Sequence, residues 1–405
     1  MKHLFLAILS AVAVSACGGG GSGVPAQQPV APTVQAAAST PYYNYSTFTL
    51  CQTSACSSDL VSQFHVDNWF WSASTIYDES VMPLTGKTNY GLWRPATAVK
   101  TVRNRQTGQV YSPGSDYQYV NGQFIIPPGS TIATTDPTWI TTTVPGTPAQ
   151  YSPETVQGTG LHVGDDWQQH QIAVTYTSTT YTPPPPDVTS FPANFIAKLK
   201  SGQPVAIDVE GDSITYGADS TGQLGMAPNQ PGYIGLVVAY LSQLYPGQVY
   251  VRNHAVPGWT SAQVLANAPA NMADVASDLT IVAVGMNDMP AGVTGAQFQQ
   301  NLQGIIAAAR WVNPNTEVVL VSSWPSNPDW VLTQNQAFID YNGAMYALAG
   351  SINGVSVANV TSVVWAGMSN QKSFYDITGN GVNHPNDFMY VAYAQTVLKT
   401  ILNLP

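Results

Sequence analysis

The sequence predicts an α/β domain with a parallel sheet over residues 188–405, preceded by an all-β, jelly-roll-like sandwich domain over 41–181. Three observations carry this. After about residue 188, apolar strand-like runs alternate with longer helix-like segments, the pattern of a parallel sheet covered on both faces. Before 181, short runs rich in Thr, Tyr and Val are broken by turn residues, with no helical periodicity of useful length. Between them stands Pro183-Pro184-Pro185-Pro186, a stiff spacer that marks a linker over 182–187.

In the first region, strands are expected around 91–94, 109–111, 123–126 and 171–176, punctuated by Asn121-Gly122 and Pro127-Pro128-Gly129. In the second, strands are expected at 204–209, 248–252, 279–284 and 317–322. Helices are expected at 233–244, 296–312, 335–349 and 388–402. The run at 279–284 is continuously apolar, as a strand buried on both faces should be. In such sheets, sites form at the carboxyl ends of the strands.

The composition narrows the class of partner. Acidic residues outnumber basic ones, 22 to 12, for a net charge of -10. Phosphate binding needs clustered Lys and Arg, so nucleic acid is excluded as a partner. A charged fraction of 8% beside 21 Tyr and 10 Trp fits an extracellular, loop-rich globular protein rather than a disordered chain.

The first residues read as an export signal. Lys2 and His3 precede an apolar run at 4–14 that is too short to span a bilayer comfortably. The junction Val14-Ser15-Ala16-Cys17 resembles a bacterial lipobox, which implies a signal peptide over 1–17 and lipid on Cys17. Gly18 follows the Cys directly, without the Asp that marks inner-membrane retention, so the expected location is the outer membrane of a bacterial cell envelope. Residues 18–40 have flexible-linker composition. Of three cysteines, lipidation would use Cys17, leaving Cys51 and Cys56 as a plausible short-loop disulfide in an oxidising compartment.

Four clusters carry chemistry. The expected strand at 204–209 runs into Glu210-Gly211-Asp212-Ser213-Ile214, where a Ser just past a strand and flanked by Gly can be an exposed nucleophile. Asn253-His254-Ala255-Val256-Pro257-Gly258-Trp259 follows the next strand, and Gly285-Met286-Asn287-Asp288 the third. Asn383-His384-Pro385-Asn386-Asp387 precedes the last helix. Each cluster lies where a strand should end or a helix begin, so all can converge on one rim.

Taken in order, the four clusters resemble the blocks of the SGNH (GDSL-type) hydrolase superfamily, over about 188–405. The resemblance implies a three-layer, flavodoxin-like domain and a serine ester hydrolase with no cofactor and no metal. It places the nucleophile at Ser213 and the general base at His384. The oxyanion hole would be the Ser213 and Gly258 backbone N–H groups and the Asn287 side chain. These types suit the reaction: a Ser hydroxyl needs a base, His titrates near neutrality, and the tetrahedral oxyanion needs fixed donors. One departure stands out. The family's Asp, three residues before the His, is Gly381 here, with Asn380 one step earlier. Asp376 or Asp387 could orient His384, or a backbone carbonyl could, leaving a Ser–His dyad. The reading favours the dyad or Asp376.

Other titratable residues have plainer readings. His254 is expected to pack or touch substrate rather than act as base. Asp212 and Asp288 are expected to brace loops, and Asp208 and Glu210 to be structural. His65, His162 and His170 lack metal-ligand spacing. Trp69, Phe70 and Trp71 are expected in the core rather than as a sugar platform. The leading functional expectation is an exported, lipid-anchored esterase that removes acetyl groups from polysaccharide. Its partners would be an acylated carbohydrate or small ester and, through the anchor only, the membrane. The alternatives are a lipase or broad esterase on lipid or polyester, and a surface lipoprotein whose catalytic site has lapsed into binding. Oligomeric state is left open.

Overall fold

The computed structural model describes residues 54–142, 154–179, 190–246, 248–369 and 372–404. Cys17, Cys51, the linker at 18–40 and the Pro-rich segment at 182–187 lie outside the described residues, as does the Cys56 side chain.

The second half of the chain is built on a five-stranded parallel sheet. Its strands are β9 (Val205–Gly211), β10 (Val249–Asn253), β11 (Leu279–Ala283), β12 (Glu317–Val321) and β13 (Val355–Ala358), in the order β10-β9-β11-β12-β13. Helices α3 (Ala193–Lys200), α4 (Ser213–Tyr216), α5 (Tyr233–Leu244), α6 (Ser261–Asn271), α7 (Gly295–Val312), α8 (Asn335–Ser351), α9 (Val360–Met368), α10 (Phe374–Ile377) and α11 (Asp387–Leu402) connect and flank them. Helices α5 and α11 pack together, and α6, α7 and α8 pack in series. Strands β11, β12 and β13 are buried at every position, because helices cover the sheet. The order reverses between β9 and β11, and the ends of those strands form the crevice where a site belongs.

The antiparallel region precedes it. Strands β1 (Thr75–Val81), β8 (Ile172–Ser178) and β3 (Ala96–Asn104) form one three-stranded sheet. Strands β2 (Asn89–Tyr90), β5 (Gln123–Ile125) and β4 (Gln118–Val120) form another, and β6 (Thr141–Thr142) pairs with β7 (Gly160–Leu161). Two helices flank this region, α1 (Ser54–Gln63), which packs on α5, and the single turn α2 (Pro137–Ile140).

Buried polar pairs fasten this region to the parallel-sheet domain. Glu79 on β1 accepts from Trp93 N at 2.8 Å and Tyr176 Oη at 2.6 Å, and its carboxylate lies 2.7 Å from Lys372 Nζ. Both partners of that ion pair are buried, so removing one would leave an uncompensated charge. Gln395 on α11 accepts from Phe70 N at 2.8 Å and donates to Asn68 O at 2.9 Å. Phe70, Trp93 and Phe388 meet edge-on or tilted at ring separations of 5.0 to 5.9 Å within one apolar cluster. Phe70 and Trp71 are therefore core, as expected, with Trp69 partly buried against them.

Strand β9 carries acids inward. Asp208 is bound by Arg252 through two contacts, 2.7 and 2.6 Å. Glu210 is fully buried with a single partner, Asn271 Nδ2 at 3.1 Å, and its Oε1 has none. Burial lifts the Glu210 carboxyl to about 8. The folded chain therefore keeps this proton while the unfolded chain releases it, and folding is penalised progressively as pH rises from the ordinary carboxyl range toward 8. Glu210→Gln should stabilise the protein by a few kcal/mol at pH 8, at ~1.4 kcal/mol per pKa unit, and by little at pH 5. Denaturant unfolding of both proteins at the two pH values checks this; equal differences would refute it.

Candidate active site

Ser213 is the first residue of α4, directly after β9. Gly211 permits the turn: a Cβ there would lie 2.5 Å from Thr215 Cβ. Asp212 caps the helix, accepting from Ile214 N at 3.0 Å. Burial raises the Asp212 carboxyl to about 7, and its bond to the chain marks it as a brace. Because Ser213 opens the helix, its N–H has no intrahelical acceptor and is available to an oxyanion.

Gly258 lies in the turn after β10 with a φ of 84°, a conformation suited to glycine, and Trp259 N donates back to Val256 O at 3.2 Å. Asn287, after β11, donates from Nδ2 to Trp259 O at 2.9 Å. The next residue, Asp288, accepts from Ser261 N at 2.9 Å and from the Ser261 hydroxyl, anchoring α6. Burial raises the Asp288 carboxyl as well. The loops carrying Ser213, Gly258 and Asn287 thus leave three adjacent strands at their carboxyl ends, and direct hydrogen bonds join the last two.

His384 reaches Ser213 from the other side, with Nε2 2.7 Å from Ser213 Oγ. Asn380 shapes its loop, its Oδ1 accepting from Val382 N, Asn383 N and His384 N at 2.9, 2.9 and 3.0 Å. The loop is closed by Gly379 N and Thr378 Oγ1 on His384 O, at 2.8 and 3.0 Å. Ser213 is 5% exposed and the His384 side chain 15%, so the pair is shielded but open on one side.

The group on His384 Nδ1 is none of those expected. It is the Asp219 carboxylate, in direct hydrogen-bond contact, on the loop that follows α4. Asp219 has a left-handed φ of 61°, and Gln168 Nε2 donates to its carbonyl at 2.5 Å. Asp376 is occupied elsewhere: it accepts from Met82 N at 2.7 Å and Ser373 N at 3.0 Å, tying the antiparallel region down. Asp387 accepts from Thr221 N at 2.9 Å and Thr221 Oγ1 at 2.6 Å, so it holds the Asp219 loop and not the imidazole. Asn380 touches the His384 backbone only. The dyad is equally displaced, since a carboxylate, not a carbonyl, meets the ring. His254 sits beside Asp208, its Nε2 3.7 Å from the carboxylate that Arg252 holds.

The family's acid position explains the displacement. Gly381 has a φ of 82°, and a Cβ there would lie 2.2 Å from the Trp167 ring and 2.5 Å from His162 O. Trp167 and His162 belong to the antiparallel region, which fills the space an Asp side chain would need. Nothing in the sequence pattern singles out Asp219. The available signal was its distance of six residues from Ser213 on a loop fixed at the same crevice. Among the described residues no group of three or more His, Cys, Asp or Glu could hold a metal ion; His162 and His170 instead flank the Trp139 ring at 4.0 and 4.1 Å. Gly381→Ala should lower stability by about 1–3 kcal/mol through overpacking and reduce esterase activity by shifting His384. An unchanged melting temperature and rate would show that the contact with Trp167 is not tight.

Residues 210–392 match the GDSL-like lipase/acylhydrolase family. No curated protein matches the sequence. Among solved structures, a member of the lipolytic protein G-D-S-L family from Veillonella parvula DSM 2008 is 20% identical, covers 49% of this chain and 99% of its own, and has a TM-score of 0.40. TesA is 24% identical over 48% of this chain and 97% of its own, with a TM-score of 0.37. A two-domain esterase active on acetylated mannans is 18% identical over 51% of each chain, with a TM-score of 0.41. With the family match spanning β9 to α11 and enclosing Ser213, Gly258, Asn287 and His384, the chain carries a GDSL-like lipase/acylhydrolase domain and is an ester hydrolase of the SGNH type.

Proposed function

We propose that the protein hydrolyses carboxylic esters through an acyl-enzyme on Ser213 and removes small acyl groups, acetyl foremost, from polysaccharide. The observation that carries the reaction is the chain Ser213 Oγ, His384 Nε2, His384 Nδ1, Asp219 carboxylate. A carboxylate on Nδ1 keeps a proton there, so the unprotonated Nε2 faces Ser213 and takes its proton during attack. The acyl ester on Ser213 Oγ forms as the bond between the carbonyl carbon and the substrate's alkoxy oxygen breaks, and the alcohol leaves with the proton that His384 returns. Water then attacks the acyl group with His384 as base, releasing the acid and restoring Ser213. The oxyanion of each tetrahedral intermediate would be held by the Ser213 and Gly258 N–H groups and by Asn287, each donor worth a few kcal/mol.

The carrier is read from the surroundings of His384. Val382, two residues before it, packs in an apolar cluster with the partly buried Trp330. Indole faces of this kind suit the apolar faces of sugar rings. The protein would act at the bacterial cell surface, held by lipid on Cys17. A second reading, lipase, draws on the exposed Val156, Val331 and Leu332. These lie on two segments bonded to each other through Val156 N to Asp329 O and Val331 N to Glu154 O, both 2.9 Å.

Initial rates on p-nitrophenyl esters of rising chain length, with acetate release from acetylated xylan, separate the two. Short-chain preference with acetate release is expected, and Ser213→Ala should abolish both. Rates rising with chain length would favour lipase, and inactivity of the folded protein on every ester would favour a lapsed binding role. Asp219→Asn should cut kcat by roughly 10²–10⁴-fold, because the imidazole loses its oriented tautomer. Asp376→Asn should lower the melting temperature while keeping most of kcat. The reverse pattern would assign the acid to Asp376.

A further inference from the structure

The chain that leads into His384, residues 381–383, belongs to no helix or strand, so no ladder of hydrogen bonds fixes its shape. Its backbone is nevertheless fully bonded. Gly381 N donates to Thr378 Oγ1 at 2.9 Å, and Val382 N and Asn383 N both donate to Asn380 Oδ1 at 2.9 Å. The three carbonyls face the other way, toward the loop between β12 and α8, residues 322–334. Asn327 Nδ2 donates to Gly381 O at 2.7 Å, Asn327 N to Val382 O at 2.8 Å, and Trp324 Nε1 to Asn383 O at 2.7 Å.

Both donors are fully buried and are themselves held. Asn327 Oδ1 accepts from Asp329 N at 2.9 Å, and Asn327 O accepts from Trp330 N at 3.1 Å and from Thr333 Oγ1 at 2.5 Å. Because the amide oxygen takes an N–H from its own loop, the amide nitrogen must face Gly381 O. Trp324 packs on Phe374, with ring centroids 5.1 Å apart. Asp219 on Nδ1 selects the tautomer of the imidazole, but it does not fix where the backbone under the ring sits. That placement falls to the bonds on 381–383.

We propose that Asn327 is a positioning residue of the hydrolytic reaction: with Trp324, and through the backbone of 381–383, it sets the reach of His384 Nε2 to Ser213 Oγ. The proposal rests on the reading of Ser213 and His384 as nucleophile and base. Misplacing a catalytic group by even a small distance slows the chemical steps while leaving ground-state binding in place.

The test is steady-state hydrolysis of p-nitrophenyl acetate by the full chain, with melting temperatures, for the unaltered protein, Asn327→Ala, Trp324→Phe and Asn313→Ala. The last removes a comparable bond, Asn313 Nδ2 to Ser277 O at 2.7 Å, before β11 at the opposite end of the sheet. Asn327→Ala should lower kcat roughly 10–100-fold, well below its melting temperature, with KM within about threefold. Asn313→Ala should lose melting temperature and keep kcat. Trp324→Phe should lower kcat at least about threefold, and it decides the matter if Asn327→Ala does not fold. Folded Asn327→Ala with kcat within about twofold of the unaltered protein, or a loss that lies in KM, would overturn the proposal. So would an equal loss of kcat in Asn313→Ala. An unaltered protein without ester activity removes the catalytic reading and the proposal with it, whereas an active protein indifferent to both loop changes removes the proposal alone.

Discussion

The contact between the His384 ring and Asp219 is the interaction on which the site's geometry depends. It joins two loops 165 residues apart, one leaving β9 and the other entering α11. With Asp219 on Nδ1, His384 can present only Nε2 to Ser213. Both loops are held from behind by one buried residue, Asp387, which takes two bonds from Thr221 on one side, while Gln230 Nε2 donates to its carbonyl at 2.6 Å. Asp387 is buried and its carboxyl raised, a cost accepted because several donors converge on it.

The antiparallel region is part of this arrangement rather than a neighbour of it. Gln168 donates to the Asp219 carbonyl, Trp167 and His162 close the space behind Gly381, and Asp376 spends its carboxylate on Met82. The preceding region therefore decides which acid can reach the imidazole. Filling position 381 with an indole removes room for an acid there, and a loop six residues past Ser213 supplies one instead.

Much of this was legible in the sequence. The helices expected at 233–244, 296–312, 335–349 and 388–402 correspond to α5, α7, α8 and α11, because long apolar periodicity survives tertiary context. The strands expected at 204–209, 248–252, 279–284 and 317–322 correspond to β9, β10, β11 and β12. Helix α6 was not foreseen, since it contains Pro269. The motifs located Ser213 and His384, which the fold brings to 2.7 Å. Asp219 was invisible for a physical reason. Its role arises from a left-handed backbone turn and from side chains of Gln168 and Trp167, more than 50 residues away, and no local pattern encodes such a long-range constraint.

The most direct measurement is proton NMR of the His384 Nδ1–H in the full chain at low temperature. A proton shared with a carboxylate resonates far downfield. The expected result is a downfield signal in the native protein that is lost in Asp219→Ala and retained in Asp376→Ala. A signal that persists without Asp219, or vanishes only without Asp376, would contradict the assignment of the acid and the packing argument built on Gly381.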